Sequence, residues 1–328
     1  MPDQKSVDLF GNRPTRVITA KPFVKWVGGK TNLLKILESQ LPVDFDSQTK
    51  VTYIEPFVGG GAMLFHMLDK HPNIHRVVIN DINKDLIRCY QLIKDEPQTL
   101  IDLLTPFEQR YYALNDAERE RYYYEVRKTY NDGVPSDDLS AAYMMFLNIT
   151  CFRGMYRENS SGGYNVPFGH YKKPKICNAD VIMADHEALR KVDIYCGDYQ
   201  GIITHLGKGY NFVYFDPPYR PLLGSSNFNQ YSKSGFSDKE QVELKAFCDR
   251  LTARGCKVML SNSYSTNEDG TSYFERLYEG YPADVIFASR YINAYVTKRE
   301  KQAEMLIKNY DNLKEKLPSI DKNRHFTR

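Results

Sequence analysis

The stretch Val51-Thr52-Tyr53-Ile54-Glu55-Pro56-Phe57-Val58-Gly59-Gly60-Gly61-Ala62 reads as a buried strand, a glycine-rich turn and the start of a helix. Met63, Leu64, Met67 and Leu68 then recur at helical spacing. Glycine tolerates positive φ and lets a backbone approach a ligand closely. The pattern departs from G-x-G-x-x-G, because Leu64 stands where the third glycine would be. Glu55 precedes the loop, where a dinucleotide fold makes its phosphate turn. An acid there argues against a pyrophosphate and for a cationic or zwitterionic ligand.

About twenty residues on, Val77-Val78-Ile79-Asn80-Asp81 forms a second strand ending in a carboxylate, the position that binds ribose hydroxyls in doubly wound folds. An N-cap for a helix over Asn83–Lys94 is the other reading of Asp81. Upstream, Phe23-Val24-Lys25-Trp26-Val27-Gly28-Gly29-Lys30-Thr31 holds the chain's single tryptophan. Gly29-Lys30-Thr31 looks like the end of a P-loop, but Val24 replaces the glycine that pattern needs. An NTPase is therefore disfavoured. Trp26 and Lys30 suit the wall of a nucleoside pocket; a core tryptophan beside a solvated lysine is the alternative.

Downstream, the apolar strand Phe212-Val213-Tyr214-Phe215 runs into Asp216-Pro217-Pro218-Tyr219. Neither proline has an N–H, so this strand end offers acceptors and almost no donors. It suits a substrate that is itself a donor, such as an exocyclic amine or an amide, and Tyr219 adds a surface for stacking a planar group.

The chain has 328 residues, 42% of them apolar, and a net charge of +3. No apolar run reaches the ~18 residues of a membrane span. The N-terminus lacks a signal core, and the six cysteines show no C-x-x-C pair. Cys89, Cys196 and Cys248 sit in apolar patterns, as expected of buried thiols in a cytoplasmic protein. No metal site is expected. Basic residues cluster locally: Arg153, Arg157, Lys172, Lys173 and Lys175 meet one acid, Glu158, between Asn148 and Lys175. Interleaved with aromatic, Asn, Ser and Gly residues, they suit phosphate contact and base reading.

Residues 21–90 and 179–310 alternate strands and helices and are expected to form one α/β domain. Ser237-Asp238-Lys239-Glu240 is a capping box, and Gly255 ends its helix before a strand over Lys257–Leu260. Residues 91–178 carry tyrosine-rich helical stretches, Tyr111–Tyr130 and Leu139–Leu147, then a Gly/Asn loop. They are expected to form an inserted helical domain with a hairpin. Arg121-Tyr122-Tyr123-Tyr124 reads as helix packing. Ala303–Asn309 reads as a last strand, preceded by a mobile basic loop over Ser289–Gln302 with Arg290, Lys298, Arg299 and Lys301. Residues 1–20 and 311–328 are polar and expected to fray.

Taken together, K-W-V-G-G-K, E-P-F-V-G-G-G-A, N-D-I-N, D-P-P-Y and a later L-S-N resemble the Dam-type DNA adenine-N6 methyltransferases of the α group, the D12 class, in their motif order. The resemblance runs from about Pro22 to Tyr310. It implies a Rossmann-like S-adenosylmethionine (SAM)-dependent methyltransferase sheet with an inserted helical DNA-recognition domain. Trp26, Lys30, Glu55, Gly59, Gly60, Gly61, Asp81, Asp198 and Asp216 match the family's SAM-contacting positions. Asp216, Pro217, Pro218 and Tyr219 match its catalytic tetrad, with Ser261-Asn262 beside it. The implied reaction moves a methyl group from SAM to N6 of an adenine flipped out of double-stranded DNA.

The segment L-N-I-T-C-F-R-G-M-Y-R with G-G-Y-N-V-P-F-G-H-Y-K-K-P-K resembles the family's recognition region. It assigns DNA contact to Phe152, Arg153, Arg157, His170, Lys172 and Lys173. Arg157 matches an arginine that reads guanine in GATC-specific members. Arg153 stands where those members have Asn, and His170 where they have Arg, so a site of GATC or a related GA-containing sequence is expected. Phe152 matches a wedging aromatic; a core Phe is the other reading. The protein is expected to act as a monomer or weak dimer, alone or beside a separate cognate restriction endonuclease. Cytosine-N4 transfer uses a similar tetrad, usually with Ser for Asp. Cytosine-C5 transfer needs a Pro-Cys dipeptide, which the chain lacks. RNA or protein-amide methylation, and a catalytically silent DNA-binding regulator, complete the alternatives.

Overall fold

The computed structural model describes residues 18–26, 28–134, 136–220, 236–267, 270–289 and 301–311. Most of the two polar ends and of the expected basic loop, including Arg290, Lys298 and Arg299, lies outside the described residues.

Seven strands form one sheet: β1 (Val51–Glu55), β2 (Ile74–Asp81), β3 (Val192–Cys196), β4 (Tyr210–Phe215), β5 (Lys257–Ser263), β6 (Ala283–Ser289) and β7 (Lys301–Lys308). Their order is β3-β2-β1-β4-β5-β7-β6. β1 to β5 pair in parallel, and β7 runs antiparallel between β5 and β6. The order reverses between β1 and β4, the switch point where such sheets bind ligands at their carboxyl edge.

Side chains alternate along a strand, and the core divides accordingly. Tyr53, Val77, Ile79, Phe212, Tyr214, Met259 and Leu306 belong to the cluster on one face. Ile54, Val78, Val213, Phe215, Val258, Leu260, Met305 and Ile307 belong to the cluster on the other. The first face carries α1 (Leu34–Ser39), α2 (Ala62–Lys70), α3 (Lys84–Asp95), α4 (Pro97–Ala113), α5 (Asp116–Asp132), α6 (Asp137–Thr150) and α7 (Ala179–Leu189). The second carries α8 (Asp238–Ala253) and α9 (Tyr273–Leu277). Among the described residues, no helix is long and apolar enough to cross a membrane.

Residues 91–178 share the continuous core of the first sheet face: Leu100, Leu104, Tyr111, Tyr123 and Phe146 belong to the same cluster as Tyr53 and Ile79. The tyrosine-rich stretch is two helices rather than one. Asn115 closes a capping box with Glu118 and starts α5 afresh after α4. Tyr122 and Tyr123 are buried, as helix packing requires. The capping box at Ser237 and Glu240 starts α8, and Gly255, at φ 78°, follows its end. One reading of the cysteines is corrected. Cys196 is exposed, because it ends edge strand β3, which has a neighbour on one side only.

Asp185 on α7 is buried, and its Oδ1 accepts the Lys21 N–H at 2.8 Å. Its Oδ2 meets no hydrogen-bond donor among the described residues. Burial raises the carboxyl from 3.8 to about 8. The folded state therefore keeps a proton that the unfolded chain releases near pH 4, and stability falls as pH rises between those values. Asp185→Asn keeps an acceptor for Lys21 and has no charge to bury. Its Tm should equal that of the parent below pH 4 and exceed it progressively up to pH 8, by about 2–4 °C per kcal/mol regained. Calorimetric scans across that pH range provide the check.

Candidate active site at the carboxyl edge of the sheet

Alternation along the strands brings the site together. Glu55 continues the row of Tyr53, Asp81 that of Ile79, and Asp216 that of Tyr214, all on the first face. Glu304 continues the row of Leu306 on β7, where it pairs with Ser263 of β5. Carboxylates from four strands thus converge. Burial is the largest influence on Glu55, Asp81 and Asp216 and lifts each carboxyl above its ordinary range. Mutual repulsion among Glu55, Asp216 and Asp81 adds to the rise at Glu55.

Donors offset part of this cost. Tyr53 donates to Glu55 at 2.8 Å. The Gly59 and Asn83 N–H groups each donate to Asp81 at 3.0 Å. Lys30, only 3% exposed, places Nζ 2.9 Å from Asp216 Oδ1 and 3.9 Å from Glu304 Oε2. It also donates to the Gly28 carbonyl at 2.7 Å and lies 4.6 Å from the centre of the Tyr219 ring. The reading of Lys30 as a solvated side chain is therefore overturned. Tyr219 donates to Glu304 at 2.7 Å. The N-cap reading of Asp81 is corrected as well: Asn83 caps α3, accepting the Leu86 N–H at 2.9 Å.

The glycine loop has a second reason for its composition. A Cβ at Gly59 would lie 2.8 Å from the Trp26 indole, and one at Gly60 2.9 Å from Trp26 Cβ. A Cβ at Gly61 would collide with the Tyr90 hydroxyl. Gly61 is also the N-cap of α2 at φ 76°. These glycines admit protein side chains, and Trp26 is packed onto the loop. Asp198 lies exposed at the end of β3, its carboxylate accepting the Gln200 N–H to cap a short 3₁₀ turn.

The tetrad is braced from β5 and α8. Asn262 accepts the Arg220 N–H at 3.3 Å and donates to Gln241 at 3.2 Å, and Gln241 donates to the Pro218 carbonyl at 3.3 Å. Ser261 bonds the Tyr214 hydroxyl at 3.0 Å. Among the described residues, the Pro217 carbonyl accepts no hydrogen bond.

The six residues matched to DNA contact lie along one segment, 152–173, and all are exposed. Phe152 is 43% exposed, which overturns its core reading. Arg153 adopts φ 59°, and its guanidinium lies 5.1 Å from the Phe152 ring centre. The expected hairpin is present, with Glu158 bridging Tyr164. Arg157 donates to the Asn165 side chain at 2.6 Å. His170, at φ 53°, meets Asp116 at 3.2 Å.

Two linking residues were not picked out from the sequence. Asn148 accepts the Lys25 N–H at 2.9 Å, donates to the Lys25 carbonyl at 2.8 Å and donates to the Gly154 carbonyl at 3.3 Å. Tyr156 stacks on Trp26 with ring centres 5.4 Å apart. Nothing in the local pattern marked these two. Glu304 did carry a signal, as a charge inside the apolar run Ala303–Ile307.

The sheet order, the reversed strand β7 and the acidic carboxyl edge define a Rossmann-like methyltransferase. The family model for the D12 class N6 adenine-specific DNA methyltransferases matches residues 26–291, and the chain belongs to that family. Among its relatives, the type II methyltransferase M.MjaIII of Methanocaldococcus jannaschii is 41% identical over 293 residues, covering 88% of this chain and 99% of that protein. The type II methyltransferase M1.LlaDCHI of Lactococcus lactis subsp. cremoris is 36% identical, covering 90% and 97%. A DNA adenine methylase of Vibrio cholerae is 32% identical, covering 87% and 95%.

The contact between the glycine loop and the single tryptophan makes a test. Gly59→Ala puts a methyl against a rigid indole at a residue with φ 48°. It should cost about 1–3 kcal/mol of stability, and the Trp26 emission should shift. Thermal melts and fluorescence spectra would register both.

Proposed function

We propose that this enzyme uses SAM to methylate N6 of an adenine flipped out of a short double-stranded site, GATC or a related GA-containing sequence. The observation that carries the cofactor reading is the charge of the site. Glu55, Asp81, Asp216 and Glu304 share one largely buried edge with, among the described residues, the one tethered ammonium of Lys30. Such an excess of buried carboxylate favours a cationic ligand, and SAM fits it. When bound, SAM supplies an electrophilic methyl on a sulfonium. Glu55 and the Gly59–Gly61 loop would hold its methionine part and Asp81 its ribose. Trp26 and Asp198 would border it.

Adenine N6 is a weak nucleophile because its lone pair is delocalised into the ring. Asp216 and the Pro217 carbonyl accept its two hydrogens, which frees the lone pair and stabilises the positive charge that develops. Tyr219 stacks on the extrahelical base and returns about 1–3 kcal/mol of the unstacking cost. Phe152, Arg153, Arg157, His170, Lys172 and Lys173 line the DNA-facing segment, with Arg157 reading a guanine. Type II methyltransferases among the relatives support a role beside a separate restriction endonuclease.

Expression in a host without DNA methylation, followed by single-molecule mapping of modified bases, tests the reaction and the site together. N6-methyladenine in one short motif is the expected result; N4-methylcytosine would overturn the adenine assignment. Asp216→Ala should lower transfer by about 100-fold or more while DNA binding persists.

Cofactor affinity should also depend on pH. A cation favours the ionised forms of Glu55, Asp81 and Asp216, whose carboxyls are raised. Binding should therefore release protons and weaken as pH falls through that raised range. Calorimetric titrations of SAM in buffers of different ionisation enthalpy will read the proton count, and a count of zero would contradict the charge argument.

A further inference from the structure

Glu304 stands out from the strand that carries it. It is fully buried in β7, which is paired on both sides, and lies within an apolar run. A buried carboxylate destabilises the fold unless its partners compensate, and an apolar side chain is often better for stability alone. Two of its partners belong to the active site: the Tyr219 hydroxyl at 2.7 Å and the Lys30 ammonium at 3.9 Å.

Tyr219 needs such a partner. It follows two prolines beyond the end of β4, where no strand ladder fixes it. Stacking requires only a ring, for which phenylalanine would suffice. The hydroxyl serves orientation instead, because its bond to Glu304 restricts rotation of the ring. Lys30, 4.6 Å from the ring centre, covers one face and is itself held by Asp216 at 2.9 Å. A base would then stack on the opposite face.

We propose that Glu304 is a positioning residue for methyl transfer. Acting through Tyr219 and Lys30, it sets the stacking surface and the Lys30–Asp216 pair before the adenine enters. This rests on the stacking role given to Tyr219 above.

The test uses the full chain with Glu304→Gln, Tyr219→Phe and the double variant, assayed for kcat, for KM of DNA and of SAM, and for N6-methyladenine as product. Each single change should lower kcat by about 10–100-fold, as misplacement of a reacting group does, with both KM values near those of the parent. The double variant should be no slower than the worse single, because the two residues work as one unit. A parental kcat in either single variant, or losses that multiply in the double, would overturn the proposal. If Glu304→Gln fails to fold, Tyr219→Phe decides alone, since it breaks the same bond and leaves Glu304 in place. Methylation of adenine by the parent chain in the same assay separates failure of this proposal from failure of the stacking reading; a parent that leaves adenine unmodified overturns both.

Discussion

Carboxylates are costly to bury unless opposite charge or donors meet them, and this sheet gathers four at one edge. The Lys30 ammonium, almost without exposure and within reach of Asp216 and Glu304, is the interaction on which the site's geometry depends. It fixes the segment before α1 against the end of β4. It covers one face of Tyr219.

The glycine-loop edge of the sheet and the segment after α6 are packed together. Trp26 lies between the Gly59–Gly60 backbone and the Tyr156 ring. Asn148 ties Lys25 to the end of α6 and reaches Gly154. Gly154 is itself a glycine of necessity, since its φ is 62° and a Cβ there would collide with the Lys25 side chain. The segment after α6 is thus held directly against the residues before α1, and through Trp26 against the glycine loop. Arg153 and His170 hold left-handed backbone conformations in the same exposed segment. Such conformations are uncommon outside glycine and cluster at functional sites.

Much of this was legible in the chain. Alternating and continuous apolar runs marked the strands around Tyr53, Val78, Val213 and Ile307, and capping residues marked α8. The fold class followed from strands and helices in alternation. Asp216 was identifiable because two prolines remove the donors beside it, and Asp81 because it ends a strand after a glycine turn. These are local signals, set by covalent structure and by period. The split of the tyrosine-rich stretch at Asn115 was local too, but the run of helix-forming side chains around it masked the capping box.

What the sequence determined by itself was therefore the set of strands, the order of motifs and a candidate set of acceptors in the tetrad. Only the tertiary structure decided which acids share one face, because the pairing register joins residues far apart in the chain. Glu304 meets Tyr219 across 85 positions, and Asn148 meets Lys25 across 123. No local period encodes such contacts. They arise when alternation on separate strands is brought into register by the sheet, and when the end of α6 packs against the segment before α1.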